Sequence, residues 1–271
     1  MADGGSYLDF ENIKNKAKTA DVGTPDPKKS MIFFMMLSLI YGIFVSTTIL
    51  SSTSIEQVEE NSTNFIFILI YILLLIIGMY FLNLNIAKSI CQNDTAQYSN
   101  VFFATILPWI IVFGILYFIL EIFTGWVRPF SNTIGYVVVS LLGVEDIIVK
   151  LLNKEQKDND SITKALVQIE QNKSKFINEF EPDKSSFNKF IEKLQKEGLT
   201  ITTSLTGNKI TPDELELFKL VNIKHIIGKL MWYILAGTVI SSISYNYIIN
   251  IKCTQTLKDV EKLIESQNNN N

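Results

Sequence analysis

The chain has 271 residues, of which 48% are hydrophobic and 19% charged, with a formal net charge of −3. Long uncharged stretches alternate with others dense in Lys, Glu and Asn, the profile of a multi-pass membrane protein carrying polar segments and not of one soluble domain. No dominant basic face is available for nucleic acid, and one histidine with two scattered cysteines speaks against a histidine triad, a multi-histidine metal centre or a disulfide framework.

The polar N-terminal segment, residues 1–29, is far longer than the basic start of a cleavable signal peptide, and Ala2 excludes N-myristoylation. Within it Tyr7, Phe10 and Ile13 share one helical face. Four uncharged runs then meet the roughly 20 residues that a bilayer core requires. They place spans at residues 30–52, 64–86, 100–122 and 229–251. Their interiors hold no Asp, Glu, Lys, Arg or His, which argues against a pump or coupled transporter. Pro108 predicts a kink in the third span, and Ser38, Thr47, Thr48, Ser241, Ser242 and Ser244 suit close helix contacts.

Lysines gather in the N-terminal segment, at Lys88 and in the C-terminal tail, while the first loop has none. The positive-inside rule therefore places both termini in the cytosol, with the first loop and residues 125–229 opposite. Cys91 and Cys253 fall on the cytosolic edges and read as free thiols, with palmitoylation the alternative. The sequons at Asn61, Asn159 and Asn172 fall on the far side.

Residues 125–149 are the ambiguous stretch. The run from Pro129 to Val144 is short for a fifth span, and Asn132, Thr133 and Gly135 predict non-helical backbone, so a re-entrant or interfacial segment is preferred. A fifth span would reverse the side of everything that follows. Arg128, the only arginine, suits a lipid phosphate or a carboxylate, with Trp126 and Tyr136 as interfacial anchors. Pro129, Ser131, Asn132 and Gly135 specify a turn there.

Residues 150–225 predict a small helical polar domain. One apolar stripe runs Ile162, Leu166, Ile169, Phe176, Phe180, and a second runs Phe187, Phe190, Ile191, Leu194 with Gly198 to stop it. Thr211-Pro212-Asp213-Glu214 announces a third helix that continues into the last span as one rod. Residues 199–211 read as a hairpin or irregular loop. In the tail, residues 252–271, Leu257, Val260 and Ile264 align on a short helix. The fold class is thus an all-α membrane protein. It has four transmembrane helices, a re-entrant or interfacial segment, and a small helical domain between the third and fourth spans.

The stretch Trp126-Val127-Arg128-Pro129-Phe130-Ser131-Asn132-Thr133-Ile134-Gly135-Tyr136 resembles the W-x-x-PFSNT-x-GY signature in multi-pass membrane proteins of large nucleocytoplasmic DNA viruses of eukaryotes. That resemblance implies a structural protein of a virion inner membrane, or of a host-derived, ER-like membrane, linking the lipid layer to capsid or core proteins. A pore or fusion component using the re-entrant segment is the alternative. The resemblance makes Trp126, Arg128, Pro129, Phe130, Ser131, Asn132, Thr133, Gly135 and Tyr136 the candidate functional residues, and implies no catalytic, cofactor-binding or metal-binding ones. Expected partners are the bilayer, other virion or membrane proteins and a second copy of the chain, with no nucleic acid and no enzyme activity. The layout is also similar to that of tetraspanins, but their Cys-Cys-Gly motif is missing, since no cysteine lies between Cys91 and Cys253.

Overall fold

The computed structural model describes residues 28–91, 98–152, 160–200 and 210–251. The N-terminal face at Tyr7, the helix at Leu257, Cys253, Asn159 and most of the 199–211 loop lie outside the described residues. Among the described ones about 88% are helical and no strand forms. The one extended pairing is an isolated bridge between Leu152 and Thr200. The helices are α1 (Lys28–Leu50), α2 (Ile55–Thr63), α3 (Phe65–Ile90) and α4 (Tyr98–Ile122). After a 3₁₀ turn at Thr124–Trp126 come α5 (Arg128–Phe130), a π-helical turn (Ser131–Gly135), α6 (Tyr136–Leu141) and α7 (Val144–Leu151). Then follow α8 (Asp160–Gln171), α9 (Lys173–Asn178), α10 (Lys184–Lys196) and α11 (Pro212–Ile249).

Among the described residues four helices are long and apolar enough to cross a membrane: α1, α3 with α2 leading into it, α4 and α11. Being apolar all round, they separate inside from outside by size and fit instead of polarity. In α1 the buried positions are Ser30, Phe34, Ser38, Gly42, Val45 and Ile49, while Ile32, Met36, Ile40 and Ile43 point out. The bundle centre is an aromatic stack. Phe34 meets Trp109 at 5.5 Å, Trp109 meets Phe113 at 5.1 Å, and Phe113 meets Tyr233 at 5.6 Å. Hydroxyls and amides inside pair across helices, with Ser38 and Tyr71 at 2.8 Å and Asn83 donating to Thr105 at 2.9 Å. Small polar side chains therefore join helices where no water is available.

Pro108 has no N–H, so the carbonyl of Ala104, four residues back, loses its helical donor. Ser244 of α11 supplies one, its Oγ donating to that carbonyl at 2.9 Å. The proline and the serine are thus one feature, a broken hydrogen bond and its repair from a neighbouring helix.

The polar segment between α4 and α11 does not build its core alone. Phe176, Phe180, Phe187, Ile191 and Leu194 from the two predicted stripes share a cluster with Val45 and Ile49 of α1 and Ile55 and Val58 of α2. Val139, Ile147 and Ile148 of α6 and α7 join it, as do Leu217, Phe218 and Val221 of α11. The first loop is itself helical, capped by Ser54 and tied to α10 through Lys184 and Glu56 at 2.5 Å. The Thr211–Glu214 capping box is formed, and Gly198 takes φ +71° just past α10. Asn61 spends its side-chain amide inside the fold, donating to Ser52 Oγ at 3.0 Å.

One expectation is overturned at the opposite end. Cys91 is not a free thiol but is disulfide-bonded. The ends of α3 and α11 meet there, with Ala87 and Ile248 in one cluster and Ile251 packed on it. The chain's other cysteine, Cys253, is two residues further on. Free thiols were expected because sequence spacing does not reveal which helix ends meet.

Replacing Ser244 by Ala should lower stability in detergent by about 1 kcal/mol, the scale of one interhelical hydrogen bond in a membrane. In a Pro108→Ala background the helical donor returns, and the same serine change should cost much less. Denaturant titration of the four proteins as a double-mutant cycle measures the coupling.

Candidate functional site

The run of apolar residues in α4 ends at Ile122, and Gly125 sits in the 3₁₀ turn that redirects the chain. From Arg128 to Leu141 the backbone is helical throughout, widened to a π turn at Ser131–Gly135. The expected non-helical backbone at Asn132, Thr133 and Gly135 is therefore corrected to a helix with a π turn. Turn-forming residues carry that expectation locally, but packing against α11 decides the outcome. Tyr136 N donates to Ser131 O across the wide turn, and Thr133 Oγ1 donates to the Pro129 carbonyl at 2.6 Å. π turns of this kind concentrate at functional positions.

The segment runs antiparallel along α11, backbone against backbone. A Cβ on Gly135 would lie 2.5 Å from the Lys224 carbonyl oxygen, and one on Gly228 would lie 2.9 Å from Ser131 N. Two glycines thus face each other's helices at one crossing, the close approach that Gly135 implied. At its lower edge Trp232 Nε1 donates to the Trp126 carbonyl at 2.7 Å. The Trp126 and Phe130 rings lie 6.0 and 5.2 Å from the Trp232 ring. Val127 between them is fully buried.

A polar cleft opens beside this contact, lined by Arg128, Ser131, Asn132, Asn178, Glu181, Lys224 and His225. Arg128 pairs with Glu181, in the turn after α9, so of the two partners read for it a carboxylate holds it here. Lys224 is 3% exposed, and its ammonium donates to Asn178 Oδ1 at 2.8 Å, Asn132 Oδ1 at 3.1 Å and the Ile177 carbonyl at 3.3 Å. These are three donors to three neutral acceptors, which satisfies the ammonium without a carboxylate. One turn lower, Lys229 pairs with Glu121 at 2.6 Å. Glu121 and Arg128 thus have separate partners and do not meet.

Tyr136 takes a different role from the interfacial anchor expected of it. Its hydroxyl donates to Glu145 at 2.9 Å, and Ser140 donates to the same oxygen at 3.1 Å. These two bonds, with Lys173 Nζ 3.6 Å away, hold the Glu145 carboxyl below the usual carboxylate range. Burial first, and then that carboxylate, push the Tyr136 phenol up. Pro129 and Thr133 face outward, away from the cleft.

The structure therefore gathers Arg128, Ser131 and Asn132 into one cleft, sends Trp126 and Phe130 to Trp232, and uses Gly135 for contact with α11. Sequence reading missed Asn178, Glu181, Lys224 and Lys229. Lys224 and Lys229 did carry a signal, as charges leading into a span, where each needs a partner. Among the described residues no three His, Cys, Asp or Glu side chains converge as metal ligands would. What the arrangement offers is fixed positive charge lining the cleft.

Gly135→Ala should destabilise the protein by about 1–3 kcal/mol, the scale of overpacking, because the atom it meets is backbone. Loss of protection against proteolysis between residues 124 and 145 would report it. Glu145 has a lowered folded pKa, so its contribution is present at neutral pH. It fades as pH falls below the unfolded value of about 4.3 and on through the folded value. Tyr136→Phe should flatten that acid limb of a thermal-unfolding pH profile.

Comparison of the chain with protein-family models, with curated proteins and with solved structures found no match.

Proposed function

We propose that this chain is an integral membrane structural protein that fixes a helical head at one face of a lipid layer, where it binds other proteins of an assembled particle. The observation that carries this reading is continuity. α11 passes from span to head without a break, and the head core is built partly from the ends of α1 and α11. Force on the head is therefore delivered to the bundle, which is what an anchor requires.

A contact surface is also present. Ile134, Val137 and Leu141 lie on one side of the helix after Arg128, turned away from α11, and Leu141 is 85% exposed. Exposed apolar groups in a row mark protein contacts more than solvent faces. The setting follows the resemblance: the inner membrane of a large DNA virus or the host-derived membrane from which it forms, with capsid or core proteins as partners. Lysine placement favours termini in the cytosol with the head opposite, whereas the disulfide at Cys91 favours the reverse. The pore reading draws less support, because the aromatic stack fills the bundle centre and the Arg128–Tyr136 segment packs against α11 instead of lining a passage.

In particles treated with mild detergent, the wild-type chain should remain with the protein shell, and Val137→Glu with Leu141→Glu should release it into the lipid fraction while membrane insertion persists. Release of the wild type with the lipid would remove the anchor reading, and Arg128-dependent ion flux through liposomes would replace it with a pore.

A further inference from the structure

The cleft at Arg128 is placed where a bilayer keeps its phosphates. Leu230 to Ile249 of α11 rises about 30 Å at 1.5 Å per residue, the depth of a hydrocarbon core. Trp126 and Trp232 meet at the upper end of that interval, as interfacial tryptophans do. Arg128 follows two residues after Trp126, its side chain 58% exposed, at headgroup level.

The charges there are unevenly paired. Lys229 has Glu121 and Arg128 has Glu181, but Lys224, which feels both Glu181 and Glu179, hydrogen-bonds only to neutral acceptors. Glu179 is exposed to solvent, and His225 lines the cleft. A buried ammonium of this kind leaves a positive field directed at whatever occupies the arginine. With Glu181 in place the remaining space is about 10 Å³, room for at most one water.

We propose that Arg128, backed by Lys224 and flanked by Ser131 and Asn132, is a phosphate-binding site for an anionic lipid headgroup, and that Glu181 is the internal carboxylate that fills it when no phosphate is bound. Arginine's planar fork takes two phosphate oxygens as readily as two carboxylate oxygens, and a phosphomonoester headgroup such as that of phosphatidic acid brings more negative charge than one carboxylate. The exchange breaks no covalent bond. Glu181 swings to solvent, which its partly exposed position after α9 allows, and the lipid then holds the head against the membrane surface through Arg128.

The test uses the full chain in nanodiscs of phosphatidylcholine with or without phosphatidic acid, with native mass spectrometry counting retained lipid. One phosphatidic acid per chain is expected. Glu181→Gln should tighten it about tenfold, a change of roughly 1.4 kcal/mol, and Arg128→Gln should lose it. Inorganic phosphate, titrated as a competitor, distinguishes the source. Weak competition assigns the site to the lipid, and equal competition keeps the phosphate site but makes free phosphate its ligand. Retention that is unchanged in both variants, or no preference for phosphatidic acid in either the wild type or Glu181→Gln, overturns the proposal. Arg128→Lys keeps the charge and removes the fork, so partial retention separates recognition from misfolding.

Discussion

Everything in this fold is arranged around one unbroken helix. α11 carries 38 residues from a capped N-terminus among soluble-type helices to an end inside the bundle. Most of the other elements dock on it. Phe34 of α1 packs at Gly237, Ser244 repairs α4, the π turn closes on Gly228, and Phe187 of α10 meets Phe218 at 4.8 Å. The head core of a segment this short would be marginal on its own. Joined to the ends of the spans, it shares their burial.

Such a rod must carry charge past the membrane surface, and it does so in two ways. Lys229 sits lowest and has a direct carboxylate, because an unpaired charge near hydrocarbon is the costliest arrangement. Lys224, a little over one turn higher, is surrounded by amide and carbonyl oxygens. Lys219, highest of the three, donates to the last carbonyl of α1 at 2.9 Å, the place where a helix end favours a cation. Position on the helix decides which partner each lysine needs.

The spans, the Thr211 capping box, the Gly198 stop and the Phe176–Leu194 stripes were legible because each depends on neighbours within a few turns. The motif was legible as special but not as helical. Asn132, Thr133 and Gly135 favour turns locally, while the approach of a second backbone is a property of the fold. The Arg128 partner was out of reach for the same reason, since Glu181 lies 53 residues away and only the turn after α9 brings it back. The α2 helix could have been read from Ser54 followed by Gln57, with Ile55 and Val58 at helical spacing, but its polar composition resembled a loop. Cys91 shows the converse, a pairing that no local pattern announces.

The length of α11 has one more consequence. A span answers a thinner bilayer by leaning over, and past Pro212 this one has no proline at which to bend. The lean is passed on undiminished. Over a rod of about 57 Å, each degree of lean carries the Thr211 end sideways by about 1 Å relative to Ile249. The head is thus the pointer of a lever whose short arm is the thickness of the surrounding lipid.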